Sequence, residues 1–338
     1  MIKHVLNNKS YRMLNFIRLS IIAGCLGLVA CGNSSSSEHD NTPPMQPQVM
    51  PRINKTVQFF IAAHPDDIQL FMAKNAQFYV QHNSKNIFIL TTAGDGGEAL
   101  SFPNSSPMKK TFWEARFLAH EKSIHYWNNY KNNIVETQVK INQHTLQRKQ
   151  FGDNVVFYNF LLPDGNINGN GFATTQFQSL EKLYQGKIKK INSVDGKNVY
   201  NKQELIDTLS TIIQFEADNK EITFNIAEDN SYINPKDHSD HIITSLLVQD
   251  VAQKLNNCML TNKYTEYVNR AKPVNMSAFG YQQHQQLWNV LTSVLVEYGY
   301  VNPHVRDPHL VWLGKQYISS NSVVNCKNVE EKLSKNLP

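Results

Sequence analysis

Residues 57–63 (VQFFIAA) form a short run dominated by aromatic, β-branched and small apolar side chains. Such a run predicts a strand buried on both faces. Residues 87–91, 155–160 and 221–227 carry similar runs. Between them the apolar spacing becomes helical. Residues 68–81 place Leu70, Phe71, Ala73, Ala76, Tyr79 and Val80 on one side. Residues 110–126, 203–215 and 240–255 read as further helices. Strands alternating with helices predict a mostly parallel sheet covered on both faces, a Rossmann-like α/β three-layer sandwich. Functional groups in such sheets gather at the carboxyl ends of the strands. Past residue 260 aromatics and turns mix without a clear period, and this stretch is expected to pack on the sheet as an extension.

The first 31 residues follow a different pattern. Lys3, His4, Lys9, Arg12 and Arg18 precede the apolar run 19–30, which is shorter than the roughly 20 residues of a membrane span. This is the layout of a secretory signal, with Met13 as an alternative start. The run ends in Leu28-Val29-Ala30-Cys31, which resembles a bacterial lipoprotein box with Cys31 as the lipidated residue. An ordinary cleaved signal with an incidental Cys is the alternative. Gly32 replaces the Asp that retains lipoproteins at the inner membrane, so the expected location is the cell envelope, at the periplasmic side of the outer membrane. Residues 32–56, rich in Ser, Asn and Pro, read as a flexible tether, and residues 57–330 as the folded domain.

Of the four cysteines, Cys25 leaves with the signal and Cys31 carries lipid. Cys258 and Cys326 remain, either as a disulfide in an oxidising compartment or as two buried thiols. The chain has 338 residues, 18% charged, with a net charge of +5 spread along its length. That spread and the lack of any nucleic-acid motif argue against nucleic-acid binding. There is no phosphate-cradling glycine loop and no Gly-x-Ser-x-Gly elbow. Nothing indicates an oligomeric state.

Two clusters carry candidate chemistry: His64-Pro65-Asp66-Asp67 and Asp237-His238-Ser239-Asp240-His241. A His and an Asp three apart in a tight turn can reach one metal, while the Asp between them points elsewhere and stays free as a base. Either cluster alone could be a helix cap. Together, both following buried strands, they predict one metal site.

Residues 62–67 (AAHPDD) resemble the AHPDD signature of the LmbE/PIG-L family of zinc-dependent N-acetylglucosaminyl deacetylases. Residues 90–97 (LTTAGDGG), 113–116 (WEAR), 162–166 (LPDGN) and 237–241 (DHSDH) are similar to its further motifs, in family order. The resemblance implies zinc ligands His64, Asp67 and His241, a general base Asp66, and a protonated His238 that stabilises or protonates. It implies substrate contacts from Arg116 and Asp164, and an N-acetylated amino sugar or glycan as substrate. Trp113 is a further candidate, as a sugar platform. Asp240 would orient a ligand or cap a helix. The sequence departs from the family at Ile68, Phe117 and Lys236. Lys236 could help an oxyanion by its charge or could simply be solvated. A zinc amidase or esterase on another acyl substrate, and an inactive glycan-binding lipoprotein, are the alternative functions. His284, His304 and His309 read as packed or surface histidines.

Overall fold

In the computed structural model, described over residues 55–82, 84–98, 109–130, 133–300 and 308–326, the strands are β1 (Thr56–Ala62), β2 (Lys85–Thr92), β3 (Ile134–Ile141), β4 (His144–Phe151), β5 (Val155–Leu162), β6 (Ile191–Asn192), β7 (Val199–Tyr200), β8 (Glu221–Ala227), β9 (Met259–Thr265) and β10 (Tyr317–Val324). The helices are α1 (Asp67–Phe71), α2 (Ala73–Gln81), α3 (Phe112–Trp127), α4 (Leu180–Tyr184), α5 (Lys202–Ala217), α6 (Ser239–Ala252) and α7 (Ala278–Glu297). The leader, Cys31, the tether up to residue 54, and His304 lie outside the described residues.

Eight strands form one sheet in the order β10-β9-β8-β1-β2-β5-β4-β3. From β9 to β5 all neighbours are parallel; β10, β4 and β3 pair antiparallel at the two edges. Every residue of β1 is buried. Because side chains alternate across a strand, Phe59 and Ile61 enter the core under α5 and α6, while Phe60 and Ala62 enter the core on the opposite face. β2 divides in the same way, Ile87 and Ile89 against Phe88 and Leu90. Phe60 and Phe88 stack with ring centroids 5.3 Å apart. Each such buried side chain contributes about 1.5–3 kcal/mol, and this double burial is the physical reason for the unbroken apolar runs. The architecture is the α/β sandwich that the alternation predicts.

Three details differ from the sequence pattern. The helix expected over 68–81 is two helices, broken at Met72; nothing in the structure explains the break. Residues 134–151 form the hairpin β3–β4, whose strand β3 is almost wholly exposed. Its turn passes through Asn142 at φ 55°, which a short hairpin loop requires. The stretch after 260 does more than pack on the sheet: it supplies β9 and β10 and the 20-residue helix α7. Cys258 and Cys326 are joined in a disulfide across the start of β9 and the end of β10. Its closed loop, sequence separation 68, corresponds to about 4 kcal/mol of stabilisation in the chain-entropy account.

α3 begins in a capping box in which Thr111 and Glu114 exchange hydrogen bonds, and α5 begins in another between Asn201 and Glu204. Such boxes satisfy orphan amides of the first turn. They help fix α3, and with it Arg116, over the carboxyl end of β2.

Candidate active site

The carboxyl ends of β1, β2, β5, β8 and β9 converge on one cavity of about 120 Å³. It is lined by His64, Asp66, Asp67, Leu70, Arg116, Asp164, His238, Tyr267 and His309. His64 follows β1 directly. Its backbone N–H donates to Asp67 Oδ2 at 2.7 Å, which curls the HPDD turn and aims both side chains the same way. His241 reaches the same point from the first turn of α6.

The distances among these three groups decide what they can hold. His64 Nδ1 lies 3.0 Å from His241 Nε2 and 3.4 Å from Asp67 Oδ2. His241 Nε2 lies 3.2 Å from Asp67 Oδ1. A tetrahedral ion with bonds of about 2.0–2.1 Å needs ligand atoms about 3.3 Å apart. The mixed nitrogen and oxygen set fits a divalent ion of that kind, and His64 and Asp67 both line the cavity.

The outer nitrogens of both rings face carboxylates. His241 Nδ1 lies 3.0 Å from Asp237 Oδ1 and 2.5 Å from Glu266 Oε2. Asn234 donates to Asp237 Oδ2 at 2.5 Å and accepts from the Glu266 backbone N–H at 3.2 Å. His64 Nε2 lies 3.4 Å from Asp240 Oδ2 and 3.8 Å from Asp164 Oδ2. Carboxylates in these positions fix ring orientation and raise ligand basicity. Asp240 does more: its Oδ2 accepts from the Gly165 backbone N–H at 2.7 Å. A Cβ on Gly165 would stand 2.4 Å from Asp240 Oδ1, so only glycine allows this close approach.

The two remaining groups border the ligand triangle: the His238 ring lies 4.5 Å from that of His64, and the ring nitrogens of His64, His238 and His241 come within 4.8 Å of one another. Asp66 pairs with Arg116, whose Nη1 also donates to the Gly94 carbonyl at 2.8 Å. A Cβ on Gly94, at φ 58°, would meet Arg116 Nη1 at 2.5 Å. His238 accepts a hydrogen bond at Nδ1 from the Asp240 backbone N–H, 3.2 Å away. Its proton therefore sits on Nε2, 3.6 Å from Asp164 Oδ1. Burial first, then the charge of His64, pushes its pKa down to about 4. With that proton placement His238 presents an Nε2–H donor to the cavity. Asp164 lines the cavity on a loop whose backbone N–H donates to Asp95 Oδ1 at 2.7 Å. Asp95 is buried and takes this structural role in the glycine turn after β2.

The family model described as GlcNAc-PI de-N-acetylase, PIG-L, matches residues 59–252, more than half of the chain. The chain belongs to the PIG-L family. No curated protein sequence matches it. Among solved structures it is similar to N,N'-diacetylchitobiose deacetylase from Pyrococcus horikoshii, with 11% identity over 80% of this chain and 84% of that one and a TM-score of 0.40. It is similar to the zinc-inhibited form of teicoplanin deacetylase Orf2, with 12% identity, 74% and 89% coverage and a TM-score of 0.39. A third similar structure is the A40926 pseudoaglycone deacetylase Dbv21, with 10% identity, 76% and 86% coverage and a TM-score of 0.40.

This PIG-L chain carries site residues that its sequence did not reveal. Glu266 and Tyr267 follow β9, and His309 comes from a short 3₁₀ turn, Pro308–Trp312. All three lie beyond the family match. His309 lines the cavity and is not merely packed. His284 is a packed histidine: it is buried, its Nε2 is 2.7 Å from the Gln69 carbonyl, and its Nδ1 accepts from the Gly314 N–H. Trp113 is not among the cavity residues, and Lys236 is exposed at φ 60°. Ile68, where the family often has Glu, is fully buried in the apolar core.

Electrostatics predicts how this site takes up an ion. Burial alone would lower the His64 pKa; the carboxylates of Asp67, Asp240 and Asp164 override it and raise the pKa to about 10. The His241 pKa is also raised, burial opposing and Asp67, Glu266 and Asp237 prevailing. The 3.0 Å gap between the facing nitrogens admits one proton, so the ion-free pair carries one excess proton at neutral pH. Metal binding must displace it. Calorimetry in buffers of different ionisation enthalpy is expected to show release of about one proton, with affinity rising about tenfold per pH unit between pH 7 and 9. A pH-independent affinity would contradict this protonation state.

Proposed function

We propose that this protein is a zinc-dependent hydrolase that removes N-acetyl groups from an amino sugar, glycan or glycoconjugate at the cell envelope. The observation that carries the reading is the triangle of His64 Nδ1, Asp67 and His241 Nε2, with edges of 3.0–3.4 Å, beside a carboxylate that the ligand set does not use. Zinc held by these residues would polarise the acyl carbonyl and lower the pKa of water toward 7.

The chain's own groups do the rest. Asp66 accepts a proton from the water as its oxygen bonds to the acyl carbon. The Nε2–H of His238 hydrogen-bonds the oxygen on which negative charge develops. The protonated Asp66 then passes its proton to the amine as the C–N bond breaks, releasing acetate and the free amino sugar. Arg116 keeps Asp66 oriented through their ion pair. Asp164, held by Asp95 and Asn166, offers a carboxylate to sugar hydroxyls.

The envelope location rests on the leader and on Leu28–Cys31 as a lipid-anchor site. The Cys258–Cys326 disulfide supports an oxidising compartment. The deciding experiment measures acetate release from a panel of N-acetylated amino sugars and oligomers, before and after complete chelation. Activity is expected to vanish with the metal and return with added Zn²⁺. Full turnover by metal-free protein would end the proposal.

A further inference from the structure

The sheet order places the groups around the ligand triangle asymmetrically. His64 follows β1, and His241 sits in α6, the helix that follows β8; β1 and β8 are adjacent inner strands. On one side stand Asp164, after β5, and Arg116, over the end of β2. On the other stands Tyr267, after β9. The first side is polar and charged. The second is walled by Tyr267 and Leu70, both lining the cavity. With sugar hydroxyls on the polar side, the acyl group points toward Tyr267.

This wall is rigid. The Tyr267 ring stacks on Trp312 with centroids 5.1 Å apart and planes 22° apart. It meets the ring of His241 edge-on, at 5.2 Å and 87°, and lies 6.3 Å from Phe71. Phe71 and Trp312 themselves pack at 5.6 Å, and Trp312 Nε1 donates to the Tyr267 carbonyl at 3.3 Å. Interlocked rings of this kind do not yield to a longer substrate chain without loss of packing. The whole cavity, its polar side included, is about 120 Å³, and Tyr267 lines it.

We propose that Tyr267, backed by Trp312 and Phe71, is a specificity-determining residue that limits the acyl group to acetyl. The substrates are then short-chain N-acyl amino sugars, and long-chain N-acyl conjugates are excluded. This rests on the amino-sugar hydrolase reading above, and it assigns a role to a segment beyond the family match.

The test uses the full chain loaded with Zn²⁺. Acetyl, propionyl, butanoyl and hexanoyl amides of glucosamine are assayed alongside the same acyl series on aniline. The wild type is expected to lose about 10–200-fold in kcat/KM for each added methylene that meets the wall. Tyr267→Ala should reduce the acetyl-to-hexanoyl ratio at least tenfold, whereas Tyr267→Phe, which keeps the ring, should preserve it. Leu70→Ala widens the same side from α1 and provides a second variant should Tyr267→Ala fold poorly. Calorimetric binding of acetate and hexanoate gives a readout independent of turnover: hexanoate should bind Tyr267→Ala better than wild type. Cleavage of the anilides but not the sugars would sink the amino-sugar reading, while the length ratio would still judge the wall. Equal rates on hexanoyl and acetyl by wild type, or an unchanged ratio in both enlarged variants at full metal content, would overturn the proposal.

Discussion

Asp66→Asn is expected to lower kcat by about 10²–10⁴-fold, the range associated with general acid–base catalysis, while metal content stays at the wild-type level. The prediction follows from where Asp66 points. It is adjacent to Asp67 in sequence, yet the ligand contacts to His64 and His241 all come from Asp67, and Asp66 turns instead to Arg116. It occupies the N-cap position of α1 but makes no side-chain capping bond. Asparagine therefore removes a proton acceptor without removing a cap, and Arg116 retains its bond to the Gly94 carbonyl. Elemental analysis with steady-state kinetics checks both halves. A kcat within a few-fold of wild type would remove Asp66 from the chemistry.

His241→Ala should have the larger structural effect. It deletes one of the three ligands proposed above, so metal content and turnover should both fall to background. It also strands Asp237 and Glu266, both buried and both facing the vacated Nδ1 position. Removing one partner from a buried ionic cluster costs about 3–5 kcal/mol. Burial already raises the Glu266 pKa to about 8, with His241 opposing that rise and Asp237 adding to it. A carboxyl whose folded pKa exceeds its unfolded value takes up a proton on folding, so its penalty shrinks as pH falls below about 8. Denaturant melts of the variant should therefore show its own stability rising as pH falls from 8 to 5. A stability that does not rise over this range would argue against a stranded Glu266 carboxylate.

How much of this could be read beforehand depended on whether a residue's role is local. β1, β2, β5 and β8 are buried on both faces, so each carries a cluster of large apolar residues that identifies it, even with buried polar residues such as Gln58 and Asn225 among them. The HPDD turn and the DHSDH segment were legible because ligand and base lie within five residues of each other. β3 and β4 were not, since they form an edge hairpin in which β3 is almost wholly exposed and β4 is largely half-buried. The first half of α7 carries Gln282, Gln283, His284, Gln285 and Gln286 almost in a row, which masks its period. Glu266 had no chance of notice in a stretch without assigned strands. Had β9 been recognised, a carboxylate just past its carboxyl end would have stood out. The lowered pKa of His238 was inaccessible for another reason: it comes from burial first and then from His64, which follows a different strand.

β1 lies between β8 and β2, and the facing imidazoles of His64 and His241 belong to residues 177 positions apart. A ribosome must therefore finish most of the chain before the first strand has both neighbours. No nascent fragment ending before residue 241 can chelate through the full set. On the proposed reading the ion is acquired after synthesis, in whatever compartment the chain finally folds, and the metal available there, not at the ribosome, governs how much protein becomes active.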